Sequence, residues 1–385
     1  MNRFLFLMSV TLFVSVSSAW GKHPLEFDFK LLVVDTNEGC DIGDIDGDGK
    51  PDIVAGRNWY RNPDWTPRPV RTIEDWAGYC ASNCDFLYDV DGDGLLDVVS
   101  GGFVDPEVAW YRNPGGEALM RGEMWPRRLL ADTGGKSNEF SMMHDFDSDG
   151  LPEWVTNSWT PRDPLRIFRW QKSKDGKLEG ISLTEHLIGP NQNGHGMGFG
   201  DVNNDGREDI LVGTGWYERP AGDIWQEKWT FHADWNGSLS CPVIVRDVNG
   251  DGKNDIIVGA PHDYGLKVWI ATGNDPNKFT YTEQVIDQQF SQLHCLHMAD
   301  LDGDGREELI TGKRVRAHNG KDPGGLEPPI ICYYTIDEQG NFSRHDIQRG
   351  IVGIGLQIRT ADLNGDGKLD IVVAGKDGTQ ILIQK

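Results

Sequence analysis

From residue 26 onward the apolar residues come in short runs, either alternating with polar ones or clustered as β-branched triplets, and glycine-rich polar turns separate them. Cys40-Asp-Ile-Gly alternates; Asp52-Ile-Val-Ala, Asp97-Val-Val-Ser, Asp255-Ile-Ile-Val and Asp370-Ile-Val-Val are of the β-branched kind. Aromatic runs follow several of them, as in Asn58-Trp-Tyr-Arg-Asn-Pro, Ala109-Trp-Tyr-Arg-Asn-Pro and Gly215-Trp-Tyr-Glu-Arg-Pro. A further strand pattern such as Trp229-Thr-Phe-His then closes the unit. The pattern predicts repeating units of four strands. The turn between the first two strands of each unit is always the same acidic motif, and no helical spacing flanks it.

That motif occurs seven times, with first residues 45 to 62 positions apart. Its candidate ligands fall at relative positions 1, 3, 5 and 9. The first three copies supply Asp44, Asp46, Asp48 and Asp52; Asp89, Asp91, Asp93 and Asp97; Asp145, Asp147, Asp149 and Glu153. The fourth and fifth supply Asp201, Asn203, Asp205 and Asp209; Asp247, Asn249, Asp251 and Asp255. The last two supply Asp300, Asp302, Asp304 and Glu308; Asp362, Asn364, Asp366 and Asp370. Hard oxygen donors at alternating positions, with Gly allowing the sharp bend, are what a Ca2+ loop requires. Four-stranded units at this period predict an all-β fold, a seven-bladed β-propeller over residues 26–385 with one calcium loop per blade. The last unit stops after its third strand, Gln380-Ile-Leu-Ile, while Phe27-Asp-Phe-Lys-Leu-Leu-Val-Val is a strand without a unit. That strand is expected to complete the seventh blade and close the ring.

The formal charge of −23 excludes the basic surface that nucleic acid selects. Twenty-five of the 60 acidic residues sit at the ligand positions, so seven divalent ions would leave a net charge of about −9. Residues 1–19 have the layout of a secretory signal peptide: Arg3, an apolar run from Phe4 to Val14, then Ser17, Ser18 and Ala19. The expected location is therefore secreted or periplasmic. No second apolar stretch approaches the length of a membrane span. Among the six cysteines, Cys80 with Cys84 and Cys241 with Cys295 are candidate disulfides; buried free thiols are the alternative. Nothing in the sequence sets an oligomeric state.

Because each acidic loop joins the first strand of a unit to the second, the start of the first strand and the loop after the second share the opposite face. Six residues before each first Asp stand Glu38, Asn83, Glu139, His195, Cys241, His294 and Leu356. The loops after the second strands add Asn58, Trp59, Asp105, Trp159, Arg162, Asp163, Trp216, His262, Asp263 and Lys376. The sixth unit carries the longest insertion, from Lys313 to Asp322, with Arg314, Arg316 and His318 inside it. Imidazoles, carboxylates, cations and Trp rings thus converge on one mouth, and Trp faces suit sugar rings.

The acidic loops resemble FG-GAP/VCBS repeats, which implies the propeller fold but leaves function open. Two segments, Gly194-His-Gly-Met-Gly-Phe-Gly-Asp201 and Leu296-His-Met-Ala-Asp300 with Thr311-Gly-Lys-Arg-Val-Arg-Ala-His318, are similar to the propeller part of aldos-2-ulose dehydratases. The resemblance implies a metal-assisted β-elimination on a keto-sugar or related glycoside. His195 and His294, with Glu139 or Glu38, would hold a second divalent metal such as Zn2+ or Mg2+ at the mouth. His262 or His318 would be acid or base, and Lys313, Arg314 and Arg316 would bind or polarise a carbohydrate substrate. A propeller-fold polysaccharide lyase is the alternative enzyme. A non-catalytic carbohydrate-binding or protein-interaction propeller is the alternative of another class.

Overall fold

The strands follow the repeat in the computed structural model, which describes residues 24–135, 137–171 and 178–385. The expected signal peptide, 1–19, lies outside the described residues. There are five four-stranded sheets, one eight-stranded sheet and a two-stranded ribbon. The eight-stranded sheet is two four-stranded units joined edge to edge, because Met197–Gly200 runs parallel to Val243–Arg246 with Gly198 opposite Val243. A β-carbon at Gly198 would lie 2.4 Å from the Val243 side chain, so only glycine permits this approach. All strand pairs within the units are antiparallel, and Phe27–Val33 pairs with Gly378–Gln384 at the two ends of the chain.

The core lies between sheets. Each hydrophobic cluster draws on two consecutive units: Phe140, Val155 and Ile167 pack on Met197, Ile210 and Tyr217, for example. One cluster joins Cys40, Ile53 and Tyr60 of the first unit to Val372 and Ile381 of the last. This packing explains the β-branched runs: second strands such as Asp52–Ala55 and Asp209–Val212 are covered on both faces and are buried throughout.

Every second strand also begins at the ninth-position carboxylate of its loop. That carboxylate is buried and closes the loop on itself. In Asp97, Oδ2 accepts the Val90 N–H at 3.2 Å and Oδ1 the Asn113 N–H at 2.7 Å. Asp209 does the same with Val202 and Arg219, and Asp370 with Leu363 and Gln384. The first Asp of each loop accepts N–H groups from the turn, as Asp44 does from Gly47, Asp48 and Gly49. Asp44 with Asp46 and Asp48, Asp89 with Asp91 and Asp97, and Asp145 with Asp147 and Glu153 each bring one oxygen per residue within 4.8 Å of one another. All six cysteines are buried free thiols, so neither candidate disulfide forms.

Two consequences are measurable. Removing the ninth carboxylate strands buried N–H groups, so Asp97→Ala should cost about 2–4 kcal/mol in denaturant melts with or without calcium; Asp91→Ala, which loses the Arg112 ion pair, should cost more with calcium than without. Burial also pushes Asp97, Glu153, Asp209 and Glu308 up to about 7. Acids raised on folding contribute stability that is lost as pH rises through the folded value. Chelated protein should therefore melt lower at about pH 8 than at about pH 6.5, and added calcium should flatten that dependence.

Candidate functional site

The end of the molecule opposite the acidic loops is built from the starts of the first strands and the loops after the second. His195 precedes Met197–Gly200, and the Gly-His-Gly sequence around it is required by the backbone. Gly194 and Gly196 have φ of 118° and 108°, and a β-carbon at residue 196 would meet Leu239 at 2.5 Å. His294 precedes Leu296–Ala299, and His262 follows Asp255–Gly259. Their three rings meet edge to face, with centroids 4.6, 4.9 and 5.6 Å apart. Each offers one ring nitrogen, and the three lie within 4.8 Å of one another.

The other ring nitrogens are spoken for. His195 Nδ1 donates to the Leu239 carbonyl at 2.9 Å, His262 Nδ1 to Asp322 at 3.1 Å, and His294 Nδ1 faces the Gln292 carbonyl at 3.4 Å. All three Nε2 atoms are buried and have no hydrogen-bond partner. Burial pushes His195 down to about 4, His294 well below the usual imidazole range, and His262 down as well. With one ring nitrogen of each within 4.8 Å of the others, and burial disfavouring the charged form, the three are the donor set a divalent metal of the Zn2+ type needs. Unpaired, they would be a costly way to fill a core.

Beside them lies a buried ion cluster. Arg314 Nε and Nη2 donate to Glu38 at 2.6 and 2.7 Å, and Nη1 donates to Glu139 at 2.6 Å. Lys376 Nζ is 2.6 Å from Glu38. Although burial works to raise Glu38, Arg314 and Lys376 hold it down at about 2. Burial likewise opposes ionisation of Glu139, and Arg314 again prevails. Burial lowers Lys376 to about 8. Glu139 Oε1 also stands 4.0 Å from His294 Nε2, linking the cluster to the histidines.

An open cleft borders the ion cluster, lined by Glu38, Tyr79, Glu139, Arg314, His318 and Lys376 and by an aromatic wall, and it meets the three histidines through His318 and Glu139. Trp76, Phe103 and Trp159 form that wall at ring spacings of 5.9 and 6.1 Å, and Trp159 reaches His318 at 5.6 Å. Trp76 and Trp159 are 47% and 42% exposed, unusual for Trp and consistent with a surface that receives a ligand. His318 stacks on His262 at 4.5 Å and donates Nδ1–H to Asp322 at 3.0 Å. It sits in a left-handed stretch: Arg316, His318 and Asn319 have φ of 50°, 47° and 54°. The Tyr79 hydroxyl pins that stretch by accepting the Asn319 N–H at 2.6 Å and donating to the Arg316 carbonyl at 3.0 Å.

The structure therefore brings together Glu38, Glu139, His195, His262, His294, Arg314 and His318. It places others elsewhere. Lys313 points into the insertion, its ammonium donating to Gln292 and the Gly324 carbonyl at 2.7 Å. Arg316 is exposed, 3.5 Å from the Gly78 carbonyl. Trp59 and Trp216 lie inside strands and are fully buried. Cys241 and Leu356 are buried without reaching the cleft. Trp76, Tyr79, Phe103 and Asp322 were not among the expected mouth residues in these roles. The signal for the first two was the aromatic Asp75-Trp-Ala-Gly-Tyr-Cys80 stretch, which forms the ribbon Asp75–Trp76 and Tyr79–Cys80 between the first two units.

A family model for FG-GAP-like repeats matches residues 145–212 and 247–311. A solved structure of BBS1N in complex with ARL6DN is similar over 94% of this chain and 97% of that one, at 12% identity and a TM-score of 0.52. A structure on recognition of non-reducing terminal N-acetylglucosamine by an Agrocybe aegerita lectin is 18% identical, covering 91% of this chain and 85% of that one, with a TM-score of 0.48. No curated protein sequence matches. FG-GAP-like repeats are thus present at residues 145–212 and 247–311, and the sheet order together with the similarity to the BBS1N structure supports an all-β, propeller-like fold. No helix among the described residues is long and apolar enough to cross a membrane.

The ion cluster makes a direct prediction. Arg314→Met leaves buried Glu139 without a counter-charge and Glu38 with Lys376 alone, and should lower stability by about 3–5 kcal/mol in a denaturant melt. A loss under about 1 kcal/mol would show that Glu38 and Glu139 are not held by it.

Proposed function

We propose that the protein is a secreted, metal-dependent carbohydrate lyase that works in the cleft beside His195, His262 and His294. The observation that carries this reading is that one ring nitrogen of each histidine lies within 4.8 Å of the others while all three Nε2 atoms are buried and unpartnered, for which a purely structural core has no use. His262, first expected as acid or base, is thereby reassigned as a metal ligand alongside His195 and His294. A divalent ion held there would polarise a substrate carbonyl and stabilise an enolate.

The chain's own residues supply the rest. Trp76, Phe103 and Trp159 offer apolar faces to the C–H side of a sugar ring. His318, held by Asp322 and lining the cleft, takes the proton α to the carbonyl. As the β C–O bond breaks, the departing oxygen collects a proton and leaves as water; Lys376, brought to about 8 by burial, is the donor we assign. Arg314, first expected to touch substrate, instead fixes the two glutamates. The cations lining the cleft, Arg314 and Lys376, are both paired with Glu38. That favours a neutral keto-sugar over a uronate, whose carboxylate would need a free cation.

We further infer that the sheets are seven blades of one ring closed by Phe27–Val33, that each acidic loop holds Ca2+, and that residues 1–19 direct export. The pairing of Phe27–Val33 with Gly378–Gln384 and the cluster between first and last units support closure. The exposed Trp rings would equally serve a carbohydrate-binding propeller, so turnover must decide.

Protein loaded with calcium and zinc should generate enone absorbance from keto-sugars. His195→Ala and His294→Ala should abolish it while remaining folded, and His318→Ala should lower kcat by about 10²–10⁴. Glycan binding without turnover across keto-sugars and uronic polysaccharides would overturn the lyase reading in favour of the binding one.

A further inference from the structure

One carboxylate serves two imidazoles at the mouth. Asp322 Oδ2 accepts from His262 Nδ1 at 3.1 Å, and Oδ1 accepts from His318 Nδ1 at 3.0 Å, while the two rings lie parallel at 4.5 Å and 10°. The Asp322 side chain is 13% exposed, so water competes little for either oxygen. An acceptor-only group facing both Nδ1 atoms requires each to carry hydrogen. In its neutral form each ring then carries its lone pair on Nε2. His262 turns that lone pair inward, where Nε2 is buried and meets no donor. His318 lines the cleft instead.

We propose that Asp322 is the positioning residue of the site, fixing the tautomer and ring plane of the metal ligand His262 and of the cleft base His318 with a single carboxylate. The inference rests on the metal reading above and adds a residue which that reading does not need. It also gives a reason for the insertion after Glu308–Gly312. The insertion must return a carboxylate to a point between two stacked rings, and its left-handed turn at Arg316, His318 and Asn319 is fixed by Tyr79 from one side. From the other side the Lys313 ammonium fixes Gly324.

The test is zinc affinity of the full-length protein in saturating calcium, measured by competition with a chromophoric chelator. Asp322→Ala should bind zinc about ten- to a hundred-fold more weakly than wild type, as removal of a carboxylate behind a ligating histidine does. Asp322→Asn should also weaken binding, because its NH2 group replaces one of the two oxygens that each face a different ring and sets a donor against that ring's Nδ1–H. His318→Ala should keep wild-type affinity within about three-fold, since Asp322 still holds His262. Calcium-loaded melting temperatures provide the folding check, and Asp322→Asn, nearly isosteric, keeps the test available if the alanine variant unfolds. Zinc affinity unchanged in both Asp322 variants would overturn the inference alone. Equal weakening by His318→Ala would do so too, by showing that the whole insertion matters and not the carboxylate. A wild-type protein that binds no zinc would overturn the metal reading along with it.

Discussion

The guanidinium of Arg314 is the constraint around which the mouth is arranged. It is almost fully buried and stays charged, so the structure must bring it counter-charge. It does so from two places far apart in sequence, Glu38 and Glu139, 276 and 175 residues away. Lys376 then shares Glu38, giving two cations and two carboxylates in one neutral cluster. Four sheets are thereby tied at one end of the molecule. The starts of their inner strands are set relative to one another, and His294, beside Glu139, is set with them.

Two kinds of buried polar chemistry divide the two ends. At the acidic-loop end the carboxylates are engaged mostly by backbone N–H groups of their own turn and by neighbouring arginines. At the mouth the imidazoles are saturated on one nitrogen and empty on the other. The first arrangement stiffens a turn; the second leaves valences for something that is not protein. This contrast, more than the number of polar residues at either end, is what the proposed function rests on. The same logic separates the cations there: those in the floor are already paired, so recognition falls to the aromatic wall.

Much of this was legible in the sequence, for a physical reason. A loop that must turn sharply and place acids at fixed positions within nine residues leaves little freedom, so its seven copies stand out in the sequence and mark the strands on either side. Counting back from the first Asp reached Glu38, Glu139, His195 and His294 because first strands have nearly constant length between mouth and loop. Side-chain direction was not legible. Lys313 and Arg314 are neighbours, yet one ammonium enters the insertion and the other side chain enters the floor. Trp59 and Trp216 looked like loop residues, but the loop before each is short enough that the next strand has already begun. Asp322, Trp76 and Tyr79 come from insertions outside the repeat, where no counting rule applies and only tertiary contact reveals what they face.

The central claim is that three histidine nitrogens form a metal site at the mouth, and X-ray absorption at the zinc edge tests it most directly. Protein saturated with calcium and then loaded with one equivalent of zinc should show a first shell of three imidazole nitrogens plus one oxygen at about 2.0–2.1 Å, with no sulfur. The three-imidazole signature should disappear in His195→Ala. A shell of oxygens alone, the spectrum of zinc caught in the acidic loops, would contradict it.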